Sequence, residues 1–74
     1  MRTKLAQPIP DDLASKLQDE GQKMIEMWDV LRPSCQHRYV NLVIEAKRPA
    51  TRKRRIERVL EMTADYYRRH YGKA

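Results

Sequence analysis

Tyr39 to Met62 reads YVNLVIEAKRPATRKRRIERVLEM, and two apolar patterns of helical spacing meet in it at a proline. Before Pro49 the apolar positions are Tyr39, Val40, Leu42, Val43, Ile44 and Ala46; after it Ile56, Val59 and Leu60 continue to Thr63, Tyr66 and Tyr67. No period-two alternation points to a strand. The spacing predicts a helical hairpin: helix 3 from Pro33 to Ala46, a turn closed by Pro49, and helix 4 from a Thr51 N-cap to about His70. With Cys35 included, the apolar arc of helix 3 exceeds half its circumference and leaves Ser34, His37, Arg38, Asn41 and Glu45 outside. That breadth predicts helix 3 as the central helix.

Working outward, Pro8 and Pro10 predict an extended lead over residues 1–9, because each fixes its own φ and biases the preceding residue away from helix. Helix 1 is expected from Pro10, with Asp11 and Asp12 in the first turn where carboxylates suit the dipole, and with Leu13, Ala14 and Leu17 on one face. Gly21 breaks the pattern. Gln22 to Leu31 then reads as helix 2, with Met24, Ile25, Met27, Trp28 and Leu31 apolar. The expectation is all-α, a small bundle of about four short helices, with residues 10–74 as a single domain. None of these helices can bury its stripe alone, so Leu13, Leu17, Trp28, Leu31, Tyr39, Val43, Ile56, Val59 and Leu60 are the expected core. A chain of 74 residues leaves no room for a deep cleft, and one this short buries only about 60% of its unfolded surface.

Charge is the second signal. Lys47 to Arg58 holds seven Lys or Arg and one Glu in twelve positions, a formal +6 that equals the net charge of the whole chain. Residues 1–46 hold six basic and seven acidic side chains, whereas residues 47–74 hold ten and three. Such asymmetry points to an anionic partner or to an internal match between the halves. Lys47 and Arg48 fall at the C-terminal end of helix 3, where a helix dipole favours cations. Arg52, Lys53, Arg54 and Arg55 crowd the N-terminal end of helix 4, where it does not. The ordinary explanation is that Asp11, Asp12, Asp19, Glu20, Asp29 or Glu45 folds over them. The alternative is that a phosphate, a carboxylate or another protein does. Further along helix 4, Glu57, Arg58, Glu61, Asp65, Arg68 and Arg69 alternate in sign and describe a solvated face.

Several motifs carry less. The lone Cys35 cannot form an intrachain disulfide, which together with an N-terminus lacking an apolar signal core leads to the expectation of a cytoplasmic protein, unless a signal peptide has been removed. No apolar run approaches the roughly 20 residues needed to span a bilayer. Cys35 and His37 project from different sides of a helix, and with His70 they offer no paired zinc spacing, so Cys35 reads as buried and inert and neither a metal nor a cofactor is expected. Tyr66 and Tyr67 read as closing the core, although with Tyr71 they have the chemistry to stack on bases. Trp28 reads as a core anchor.

The segment from Tyr39 to Met62 resembles the C-terminal helical module of the YdeI/OmpD-associated family, also called bacteriocin-protection proteins. Tyr39, Val40, Glu45, Ala46, Lys47, Arg48, Pro49, Thr51, Arg52, Arg54, Arg55, Ile56, Glu61 and Met62 match its signature, and PIPDDLA from Pro8 to Ala14 is similar to the family's approach to its first helix. The chain departs from the pattern at Leu42, where Trp is usual, at Arg32, where a capping Ser is common, and at Thr63, where Leu is usual. The tail ADYYRRHYGKA extends beyond the ordinary module. The resemblance implies an all-helical domain connected with resistance to envelope-active agents, often attached to a larger domain, and implies no established reaction.

The resulting expectation is a non-enzymatic interaction module. Its candidate site is a positive corner of Lys47, Arg48, Arg52, Arg54 and Arg55, which meets an acidic protein surface or a small anion. The competing reading is a basic nucleic-acid-binding domain, although Glu57, Glu61 and Asp65 dilute the outer face that would read bases. Within the corner, Arg52 projects along the Ile56, Val59 and Thr63 stripe and is expected to be structural, while Arg55 lies at the stripe's edge.

Overall fold

A computed structural model describes residues 2–72 and shows four α-helices, with no strand among those residues. They are α1 (Asp11–Glu20), α2 (Gln22–Asp29), α3 (Pro33–Glu45) and α4 (Pro49–His70). Pro10 precedes α1 in an extended conformation, and Asp11 and Asp12 occupy the first turn. Gly21 both ends α1 and opens α2. Its φ of 103° lies in the region that disfavours every other residue, while a Cβ there would touch nothing, so backbone conformation alone demands the glycine. Pro33 is the first residue of α3, and Pro49 is likewise the first of α4. Both positions suit proline, whose missing N–H has no partner in a first turn anyway.

The start of α4 corrects one expectation. Arg48, extended at φ −93° and ψ 141°, is the residue before the helix, and Thr51 lies inside the first turn instead of capping it. The N-terminal lead also has more structure than its prolines predict. Arg2 and Pro8 form a single antiparallel bridge around a tight loop in which the Thr3 and Gln7 backbones are hydrogen-bonded. Thr3 and Ile9 are buried, and the Lys4 N–H donates to Gln36 Oε1 at 2.8 Å. Gln36 is itself buried and donates from Nε2 to the Trp28 carbonyl at 2.9 Å, so one side chain of α3 ties the lead to the end of α2.

A second correction concerns the centre of the bundle. Helix α4 packs against α1, α2 and α3, and it takes the central role expected of α3. On α3 only Gln36, Val40 and Val43 are fully buried, while Ile44 stays half exposed. The broad apolar arc covers more circumference than its neighbours reach. Ile56, Val59, Leu60 and Thr63 bury one stripe of α4, and the first three meet Leu13, Leu17, Trp28, Leu31 and Val43 in one cluster, joined by Ile9 and Val40. Tyr39 packs on that cluster only partly buried, its ring tilted 6.4 Å from Trp28. Thr63 is fully buried. Its hydroxyl donates back to the Val59 carbonyl at 2.8 Å, so its burial leaves no unpaired group. Tyr67, expected in the stripe, is instead half-buried beside Lys23, whose Nζ lies 4.7 Å from the ring centre.

Candidate functional site

The turn between α3 and α4 collects the basic segment, and the structure divides it in two. Arg52 and Arg55 turn inward. Arg52 pairs with Asp12 of α1 through two bonds, Nε to Oδ2 at 2.8 Å and Nη2 to Oδ1 at 3.0 Å. Its remaining nitrogen, Nη1, reaches the carbonyls of Val43 at 3.2 Å and Ala46 at 3.4 Å. Arg55 donates from Nη1 to the Leu42 carbonyl at 2.9 Å. The last carbonyls of α3 carry the negative end of its dipole, and of those the arginines reach, Val43 also accepts the Ala46 N–H at 3.1 Å. Two guanidinium groups from the following helix add donors there, so both arginines lock the hairpin and Arg52 also fastens it to α1.

The Arg52 guanidinium holds the Asp12 carboxyl below its ordinary range, chiefly through the hydrogen bonds, with partial burial opposing; Asp12 also accepts the Leu13 N–H at 3.0 Å. The same pairing raises the affinity of Arg52 for its proton. Asp12 is the acid that folds over the patch. Glu20 pairs instead with Lys16, and among the described residues Asp11, Asp19, Asp29 and Glu45 make no ion pair with the basic segment.

Lys47, Arg48, Lys53 and Arg54 form the other part. All four are exposed, and none has an ion pair among the described residues. They surround the first turn of α4, where no side chain caps the backbone and no acidic residue stands. Of the five candidate residues, then, Lys47, Arg48 and Arg54 face solvent while Arg52 and Arg55 serve the fold, and Lys53 joins the open set. A helical wheel was sufficient to bring in Lys53, because it lies about 100° from Arg52 and away from α3. Downstream, Arg58 pairs with Glu61, and both Arg68 and Arg69 pair with Asp65, all at contacts of 3.1–3.8 Å on exposed faces. The open positive surface thus stops before the middle of α4.

Beside this cluster a cleft of about 490 Å³ lies between α1 and α4, lined by Asp12, Lys16, Pro49, Arg52, Lys53, Ile56 and Glu57. Sequence reasoning missed it, since no single helix contains it. Elsewhere, Cys35 is partly exposed and packs at the edge of the core, in place of the full burial expected. Cys35, His37 and His70 do not come together in any group able to hold a metal among the described residues. No helix among those residues is long and apolar enough to cross a membrane. Burial raises the Tyr39 hydroxyl above its usual range, with nearby Cys35 adding to the effect.

The family model described as Bacteriocin-protection, YdeI or OmpD-Associated matches residues 7–66. This chain belongs to that family. The matched span runs from the end of the N-terminal loop to Tyr66, and so includes the YdeI/OmpD-associated hairpin, both inward arginines and all four open cations. Tyr67 and Tyr71, stacked with ring centres 5.5 Å apart, lie beyond it. Comparison with curated proteins and with solved structures returned no match.

Proposed function

We propose that this YdeI/OmpD-associated domain is a non-enzymatic binding module that presents its basic corner to an acidic protein surface. The family's name connects it with bacteriocin protection, and the molecular event behind such protection is, in this reading, an association and not a reaction. One observation carries the proposal: Lys47, Arg48, Lys53 and Arg54 stay exposed and without ion pairs among the described residues, although the same segment sends Arg52 and Arg55 inward. Lys53 and Arg54 stand near the positive end of α4, which disfavours them, and all four cations repel one another, so an incoming anion is attracted because binding relieves that repulsion. We place the module in the cytoplasm, where the partly exposed Cys35 would remain a thiol.

Salt-dependent titration tests this reading against nucleic-acid binding. Fluorescence anisotropy of a labelled polyglutamate chain, and separately of a labelled DNA duplex, would be followed at rising salt with the native chain and with Lys47, Arg48, Lys53 and Arg54 all replaced by Glu. The expected result is polyglutamate binding that the quadruple replacement abolishes, and duplex binding that disappears near physiological ionic strength. A duplex complex that persists there, with a log-log salt slope of about −0.9 for each phosphate contacted, would overturn the proposal in favour of nucleic acid.

A further inference from the structure

The cleft between α1 and α4 opens onto the cation cluster. Pro49, the residue after Arg48, lines it, and Lys53 belongs to both features. Ile56 and Pro49 are the apolar residues of its lining, and Lys16 and Lys53 have hydrocarbon stems that can extend that surface. Asp12 and Arg52 line it as an already neutralised pair. Of the remaining charges, Lys16 makes a loose 3.7 Å contact with Glu20, while Lys53 and Glu57 are exposed and have no ion pair among the described residues. A volume of about 490 Å³ falls in the range of sites that take a drug-sized molecule or the side chains of a peptide.

We infer that this cleft receives an acidic peptide segment, whose apolar side chain rests on Ile56 and Pro49 while its neighbouring carboxylates meet Lys53 and Arg48. The inference rests on the reading that the basic corner engages an acidic partner, and it adds how that partner is held. Charge complementarity selects the occupant. Against the one open acid of the lining, Glu57, stand four open cations, Lys47, Arg48, Lys53 and Arg54, so a neutral peptide leaves Lys53 and Arg48 unanswered and a basic one is repelled. The apolar lining adds what charge alone lacks. A purely acidic ligand would touch the exposed cations in many orientations, whereas one seated side chain fixes a single register along α1 and α4.

Three short acetylated peptides test this against the full chain labelled with nitrogen-15: an acidic peptide with central leucines, the same peptide with serines in their place, and the leucine peptide with its acids changed to glutamine. Amide shifts report where each binds at physiological ionic strength. The expected result is that the acidic leucine peptide binds roughly tenfold or more tightly than either of the others. It should shift Asp12, Lys16, Lys53 and Glu57, and Lys53→Glu should remove most of its advantage. Equal binding of the two acidic peptides, with shifts confined to Lys47, Arg48, Lys53 and Arg54, would overturn the cleft inference and leave the basic-corner reading intact. Equal binding of the neutral leucine peptide would overturn the acidic occupant. Failure of both acidic peptides to bind would overturn the cleft inference and the reading beneath it together.

Discussion

Two residues of rotation, about 200°, separate Arg52 from Arg54 and give them opposite roles. Arg52 reaches across to α1 and back to the end of α3, whereas Arg54 faces solvent without an ion pair among the described residues. Truncating Arg52 takes its donor from the Ala46 carbonyl, leaves the Val43 carbonyl with the Ala46 N–H alone, and leaves Asp12 without its cation. Arg52→Ala should therefore lower stability by roughly 1–3 kcal/mol, and Arg54→Ala should stay within about 0.5 kcal/mol of the native chain. Denaturant melts of the two variants check this, and equal small losses would show that the clamp contributes nothing. The pair also sets an acid dependence. Because the folded state holds the Asp12 carboxyl below its ordinary value of 3.8, the pair's contribution is complete above that value and disappears as pH falls through the lowered one. Melting temperatures measured from neutral pH down past that window should decline more steeply for the native chain than for Arg52→Ala, which has no pair left to lose. That side chain's place on the apolar stripe was legible on a helical wheel. Its particular carboxylate was not, because forty residues separate Asp12 from Arg52.

At the scale of helices, prolines and the glycine mark the boundaries well, since each acts through its own backbone. Pro33 and Gly21 fall where their chemistry places them, and Pro49 does so more fully than the spacing predicts, by opening α4 instead of merely closing the turn. Thr51 was the natural cap by residue type, but Arg48 already has the extended conformation that starts the helix, so the threonine hydroxyl has no cap to make. Thr51→Ala should thus cost less than about 0.5 kcal/mol, where loss of a working cap costs about 1. Thermal melts decide it, and a loss near the larger value would mean that the hydroxyl does bond the first turn. The end of α3 was the opposite case. Its carbonyls are capped by Arg52 and Arg55 from the next helix, an arrangement that local spacing does not encode. Gln36 was overlooked for the same reason: a polar residue on an apolar helix counts as outside until both of its partners, Lys4 and Trp28, are seen to converge on it.

The whole molecule balances a core against an uneven charge. Helix α4, about 33 Å long at 1.5 Å per residue, accounts for most of the 38 Å long axis, and α1, α2 and α3 all pack on it. Four exposed cations within two turns repel one another in the folded state, and added salt screens that repulsion over a length that falls from about 10 Å at 0.1 M to about 3 Å at 1 M. The melting temperature should accordingly rise as sodium chloride increases from about 0.05 to about 0.5 M. A variant with Lys47, Arg48, Lys53 and Arg54 changed to Gln should respond less. Calorimetry at matched pH makes the comparison, and a native melting temperature that falls with salt would show that attractive pairs dominate the surface instead.

Helical periodicity, three prolines and Gly21 were enough, in the sequence by itself, to determine an all-α hairpin-based bundle, most of its core and its kinship with the YdeI/OmpD-associated family, because each of these signals acts over a few neighbouring residues or is read directly as a motif. Tertiary structure alone decided which helix is central, which acid meets Arg52, and that α1 and α4 leave a cleft beside the open cations. Those outcomes depend on faces from different helices meeting in space. Position along the chain puts Arg52 on the inward stripe but does not specify which carboxylate, forty residues away, it finds.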